Sequence, residues 1–130
     1  MIQGGIGMEI VTEATINPNE VYDKIKRETV GSVVLHFAVV REKTGDQITQ
    51  IIDFQRNGDI ENELKSIAGS IRDKYQLEDV LIIRRLGALR VGDVMSLVAT
   101  SAPHREDAFD ACRYGVESLK KMKTIKKTER

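Results

Sequence analysis

The last eleven residues of the chain, Lys120 to Arg130, carry six basic side chains against one carboxylate. If a helix ran through them, Lys120, Lys123 and Lys127 would share one face at three- and four-residue spacing. Ammonium groups set so close repel one another, so they either extend into water or gather around an anion. Spacing alone favours the first outcome, a solvated tail. A second candidate lies in the stretch Thr100 to Asp107, which leads from a strand into a helix and sets His104 and Arg105 in its first turn. Free N–H groups and the helix dipole favour anions there, and two basic side chains would add to that preference. Glu106 and Asp107 are the usual residues of a first turn, so an ordinary solvated helix start stays equally open.

The remaining reactive residues have structural readings. His36 sits in an apolar strand with no second ligand nearby and reads as a packed histidine. Cys112 falls on the apolar stripe of the last helix and reads as a small hydrophobe. No group of Cys, His or carboxylate residues has metal-ligand spacing. The segment Gly87 to Asp93 has two glycines but does not join a strand to a helix, so it reads as a hairpin turn and not a phosphate loop. With 20 Lys and Arg against 20 Asp and Glu, the chain lacks the basic excess of a nucleic-acid binder. The basic C-terminal arm also lacks aromatic residues for base stacking. One cysteine excludes an internal disulfide framework and fits a reducing cytoplasm. The first ten residues show neither the cationic end nor the long apolar stretch of a secretory signal, and no apolar run reaches the roughly 18–20 residues that span a bilayer.

These residues need a scaffold, and 130 residues with 41% hydrophobic side chains fit a single domain with one real core. Residues 1–7, rich in glycine, are expected to be disordered. A short strand is predicted at Met8–Thr12. A helix follows, started by Asn17, Pro18 and Glu20 and burying Val21 and Ile25. Gly31 to Val40 reads as the strongest strand, apolar enough to be covered on both faces. Ile48–Phe54 is expected to pair antiparallel with it. From an Asp59 cap, Ile60, Leu64, Ile67, Ile71 and Tyr75 mark the clearest amphipathic helix. Two strands joined by Ala88–Gly92 come next. The last helix runs from about Pro103 to Lys121 on an apolar stripe of Phe109, Cys112, Val116 and Leu119. The order β-α-β-β-α-β-β-α predicts an α+β fold on a mostly antiparallel sheet.

Three stretches carry a resemblance to a known family: Gly31 to Glu42, Arg84 to Asp93, and Ser101 to Phe109. The second fits an Arg-hydrophobic-Gly-x-Leu-x-x-Gly-Asp pattern through Arg85, Leu86, Gly87, Leu89, Gly92 and Asp93. The third fits Ser-x-x-His-Arg-x-x-Ala-Phe through Ser101, His104, Arg105, Ala108 and Phe109. Together with the closing lysines, the chain from about Gly31 to Glu129 resembles the large, catalytic subunit of molybdopterin synthase, also called molybdopterin-converting factor subunit 2. The resemblance implies an α/β-hammerhead fold. The implied reaction inserts two sulfurs into cyclic pyranopterin monophosphate to form the dithiolene of molybdopterin. It implies a ubiquitin-like small subunit as partner, whose C-terminal Gly-Gly ends in the thiocarboxylate that donates sulfur. It also implies a homodimer of the large subunit, a heterotetramer with the small one, and no permanently bound cofactor. By this resemblance Arg41, His104 and Arg105 hold the pterin phosphate, and Lys120 and Lys127 are the catalytic lysines beside the small subunit's C-terminus. Arginine suits a phosphate because its planar fork can bind two oxygens.

The chain departs from the family pattern where a Pro-aromatic-Trp-Lys segment is replaced by Thr124, Ile125, Lys126 and Lys127. A second reading therefore stays open, a non-catalytic relative that binds a ubiquitin-like partner or an anionic ligand.

Overall fold

The computed structural model describes residues 7–25, 28–44, 47–48 and 50–130. Apart from Gly7, the segment expected to be disordered lies outside the described residues. In chain order the elements are β1 (Gly7–Thr12), a 3-10 turn (Pro18–Glu20) leading into α1 (Val21–Ile25), β2 (Ser32–Val39), β3 (Lys43–Thr44), β4 (Gln47–Ile48) and β5 (Ile51–Arg56). They continue with α2 (Ile60–Lys74), β6 (Asp79–Arg85), β7 (Gly87–Arg90), β8 (Val94–Ala102), α3 (Arg105–Lys120) and β9 (Ile125–Glu129). The fold is α+β, as the element pattern predicts.

The main sheet has the order β1-β6-β8-β2. It is antiparallel except for the parallel pair β1–β6. Strand period two divides β6 between two cores. Leu81 and Ile83 join Ile16, Val21 and Ile25 on the α1 side. Val80 and Ile82 join Ile60, Leu64, Ile71 and Ala111 of α2 and α3 on the other side. A second sheet, β7-β5-β9, packs a smaller core of Ile52, Phe54, Leu89 and Val40.

The helix starts follow from their caps. Asn17 accepts from the Asn19 N–H at 3.0 Å, and Asp59 accepts from the Asn62 N–H at 3.0 Å, satisfying N–H groups that a helix start leaves open. Ile60, Leu64 and Ile71 are wholly buried, with Ile67 and Tyr75 packed at the rim of the same cluster. The hairpin motif is also structural. Gly87 and Gly92 take φ of +103° and +94°, open to glycine at little cost. Asp93 accepts from the Arg90 N–H at 2.9 Å, while the Gly92 N–H donates to the Val40 carbonyl at 2.8 Å. The turn is thereby tied to the end of β2.

Four expectations are corrected. β2 pairs with β8, and the Ile48–Phe54 segment goes elsewhere: β4 pairs with β3, and β5 lies between β7 and β9. The strand β2 is an edge, and its Phe37 and Val39 are 41% and 43% exposed, so its faces are not both covered. The segment expected merely to join two strands contains β7, which belongs to the second sheet. On α3 the buried positions are Ala108, Ala111, Cys112 and Gly115, and Phe109 is 55% exposed.

Candidate active site

The C-terminal lysines are neither a continued helix nor a loose tail. The helix α3 ends at Lys120, where its last carbonyls carry partial negative charge and a cation is comfortable. The chain turns through Met122 and Lys123 and returns as β9, antiparallel to β5, with Lys127 opposite Phe54. Glu63 of α2 fixes this turn. Its carboxylate accepts from the Lys123 N–H at 3.0 Å, the Thr124 N–H at 3.1 Å and the Thr124 hydroxyl at 2.5 Å. Beyond the turn, Arg130 closes the strand with an Nη2 bond to Asp53 at 2.7 Å.

Partial burial opposes the charge on Glu63, but the Thr124 hydroxyl and the two N–H groups outweigh it and hold the carboxyl below its ordinary value. A depressed folded pKa gives stabilisation that is present above the unfolded value and lost as pH falls through the folded one. Glu63→Gln should therefore lower stability by about 1–3 kcal/mol at neutral pH. The gap from wild type should shrink in acid, below about pH 4. Urea unfolding across this range measures it; a gap unchanged from neutral pH into acid would contradict the clamp.

The turn brings Lys120 and Lys127, seven residues apart and on different elements, to the lining of one pocket of about 300 Å³. Its walls include Phe54, Met95, Val116, Leu119, Met122 and Ile125, so cations project into a largely apolar recess. Lys127 Nζ lies 2.9 Å from Glu129 Oε1. Lys120 has no carboxylate partner among the described residues.

Arg41, His104 and Arg105 do not line this pocket. Arg41 is also far from the other two. Arg41 lies just past the end of β2 where Val39 pairs with Val94, whereas His104 follows the opposite end, where Ala102 pairs with Ser32. The eight-residue strand between them spans roughly 26 Å. His104 is the N-cap residue of α3 but makes no side-chain cap bond, and both His104 and Arg105 are exposed.

Two residues of the pocket are not identified as site residues by sequence reasoning. His36, expected to be packed, is exposed and lines the pocket from the edge strand. Arg84 also lines it, with its guanidinium 4.3 Å from the centroid of the Phe54 ring and Nη1 donating to the Met95 carbonyl at 3.1 Å. A signal for Arg84 exists in the sequence: period two puts it on the same face of β6 as Val80 and Ile82, which is buried, while Arg85 follows Leu81 and Ile83. Arg85 is bound instead to the Glu13 carbonyl at 3.3 Å and lies 3.8 Å from Asp93. Cys112 is buried, with its thiol 3.6 Å from the Val98 carbonyl and its pKa pushed up to about 11 by burial. It stays a thiol at neutral pH, as a packing residue would. Among the described residues no group of three or more His, Cys, Asp or Glu could hold a metal, and no helix is long and apolar enough to cross a membrane.

Residues 11–122 match the family model described as MoaE protein. The molybdopterin synthase catalytic subunit of Staphylococcus aureus (strain COL) is 33% identical over 122 residues, covering 93% of this chain and 82% of the relative. That of Bacillus subtilis (strain 168) is 27% identical over 120 residues, covering 92% and 76%. The crystal structure of molybdopterin synthase from Staphylococcus aureus superposes with a TM-score of 0.86 at 29% identity, covering 93% of this chain and 89% of that one. A complex of subunits 1 and 2 of molybdopterin-converting factor from Helicobacter pylori shares the fold, with a TM-score of 0.71 at 16% identity over 95% of this chain and 83% of that one. The resemblance carried by the hairpin and Ser-x-x-His-Arg motifs is thus borne out: this chain belongs to the MoaE protein family.

Proposed function

We infer that this chain is the catalytic subunit of a molybdopterin synthase in molybdenum cofactor biosynthesis. It takes sulfur from the C-terminal thiocarboxylate of a ubiquitin-like small subunit and delivers it to cyclic pyranopterin monophosphate, forming the dithiolene. One observation carries this reading: Lys120 and Lys127, from separate elements, meet in one apolar-walled pocket. Such a recess suits an extended peptide end with minimal side chains, and Gly-Gly is the smallest such end. Once the sulfur has bonded to the pterin, water adds to the acyl carbon and negative charge builds on its oxygen; the carbon–sulfur bond then breaks, leaving sulfur on the pterin and a carboxylate on the small subunit. An ammonium in the pocket stabilises the charge on that oxygen. Lys120, without a carboxylate partner, serves as that ammonium and as proton donor; Lys127, tethered to Glu129, holds the tail.

The substrate phosphate falls to Arg41, His104 and Arg105. Since β2 separates Arg41 from the other two, a single phosphate needs two copies of the chain. A second copy laid antiparallel along the edge of β2 would bring Arg41 of one copy beside His104 and Arg105 of the other. It would also cover Phe37 and Val39. Arg41→Ala and Arg105→Ala should each weaken substrate binding about tenfold or more, since each loses a charge-assisted contact. Mixed together after dissociation, they should regain activity that neither has alone, because half-mutant dimers hold one intact site. A mixture as inactive as its parts would contradict the shared site, as would light scattering that shows only monomer.

The reading as a whole is tested with the thiocarboxylated cognate small subunit and cyclic pyranopterin monophosphate, the expected product being the dithiolene. A verified, bound partner with no product would leave the chain as a non-catalytic relative.

A further inference from the structure

Arg84 is a partly buried cation that no acidic residue among the described ones pairs with. Burial is the sole influence on its pKa, lowered to about 10, and no acidic group contributes, so the guanidinium stays positive at neutral pH. The ion pairs of the described residues leave it out. One donor is used on the Met95 carbonyl, and Nε is buried with no partner. Buried charges are costly unless paired, so a cation in this position calls for an anion from outside the chain. It borders the pocket that it lines with His36, Lys120 and Lys127. The Phe54 ring centroid lies 4.3 Å from the guanidinium, within cation–π reach.

We propose that Arg84 is the floor of the pocket's anion site, where it holds the terminal carboxylate-type group of an incoming peptide tail for Lys120 and Lys127. The proposal rests on the functional reading above and adds a tail-binding residue to it. Two features favour a peptide end over a free phosphate. A planar carboxylate-type group matches the edge of a planar guanidinium. The surrounding Phe54, Met95, Val116 and Leu119 would strip a phosphate of its hydration, yet they suit the chain behind a peptide terminus.

The test is calorimetric binding to the full chain of a short synthetic peptide ending in Gly-Gly, as free acid and as C-terminal amide, with inorganic phosphate as a third probe. Wild type should prefer the acid. Arg84→Gln should weaken acid binding about tenfold or more while leaving amide binding within about twofold. Arg84→Lys, which keeps the charge but loses the fork, should fall between them; it carries the test if Arg84→Gln does not fold. Equal weakening of acid and amide would reveal a merely structural role and overturn the proposal. So would an effect of Arg84 on phosphate binding alone. Acid preference that survives Arg84→Gln removes this proposal and leaves the functional reading intact. A wild type that does not tell acid from amide removes both.

Discussion

Lys120→Ala is expected to reduce sulfur transfer by about a hundredfold to a thousandfold, the range seen when one stabiliser of a developing oxyanion is removed. The reduction should fall on kcat, with the KM for the small subunit little changed, since the ammonium acts on charge that exists only as the reaction proceeds. Lys120 is exposed at the end of α3, so its removal should leave stability within about 0.5 kcal/mol. Lys127→Ala should behave differently. It forms an ion pair with Glu129 and is 52% exposed, so it has less freedom to follow the reacting group, and its loss should raise KM as well as lower kcat. Steady-state kinetics separates the two. Normal turnover in Lys120→Ala would remove the role assigned to it, whatever Lys127 does.

The second large effect is expected at Gly31, far from the lysines. Gly31 precedes β2, and its N–H donates to the Ala102 carbonyl at 2.9 Å. A Cβ at this position would stand 2.2 Å from the Pro103 carbonyl oxygen and 3.2 Å from its carbon. Both are backbone atoms and cannot rotate aside, so either the start of β2 or the approach to α3 must shift. Gly31→Ala should cost roughly 1–3 kcal/mol, as overpacking does elsewhere. Displacement of Pro103 also moves His104 and Arg105, so the substrate KM should rise along with the loss of stability. Urea unfolding and kinetics on the same preparation test both parts. A variant of normal stability would show that the close approach is dispensable.

Much of this architecture is legible in the sequence, and particular residues explain why. The helix α2 follows from five apolar residues at helical spacing behind an aspartate cap, a pattern local enough to need no tertiary information. The strands β6 and β8 are apolar along most of their length for the same kind of reason. Pairing was harder. Adjacency suggested that Gly31–Val40 would pair with Ile48–Phe54, but β5 crosses to a second sheet whose other members come from Gly87–Arg90 and Ile125–Glu129. Nothing local announces contacts across such separations.

The C-terminal stretch shows the limit most clearly. Of its strand residues only Ile125 is apolar, so periodicity favours a charged tail. The strand exists because β5 offers an edge and because Glu63, about sixty residues earlier, clamps its first turn. Thr124 and Ile125, which break the family's aromatic pattern, are the residues that take this clamp and line the pocket. Lys120 and Lys127 stand out through family motifs, and the spacing that links them in the sequence is helical. Their meeting depends instead on a turn and a β-ladder. Arg84 does not stand out in the sequence because an arginine at the end of an apolar strand resembles a strand terminus reaching solvent.

The most direct measurement is a single turnover with radiolabelled sulfur in the small subunit's thiocarboxylate, comparing wild type with a Lys120→Ala, Lys127→Ala double variant. Label should pass to the pterin in wild type and stay on the small subunit in the double variant, even though the small subunit remains bound. Transfer at the wild-type rate without the two lysines would contradict the account.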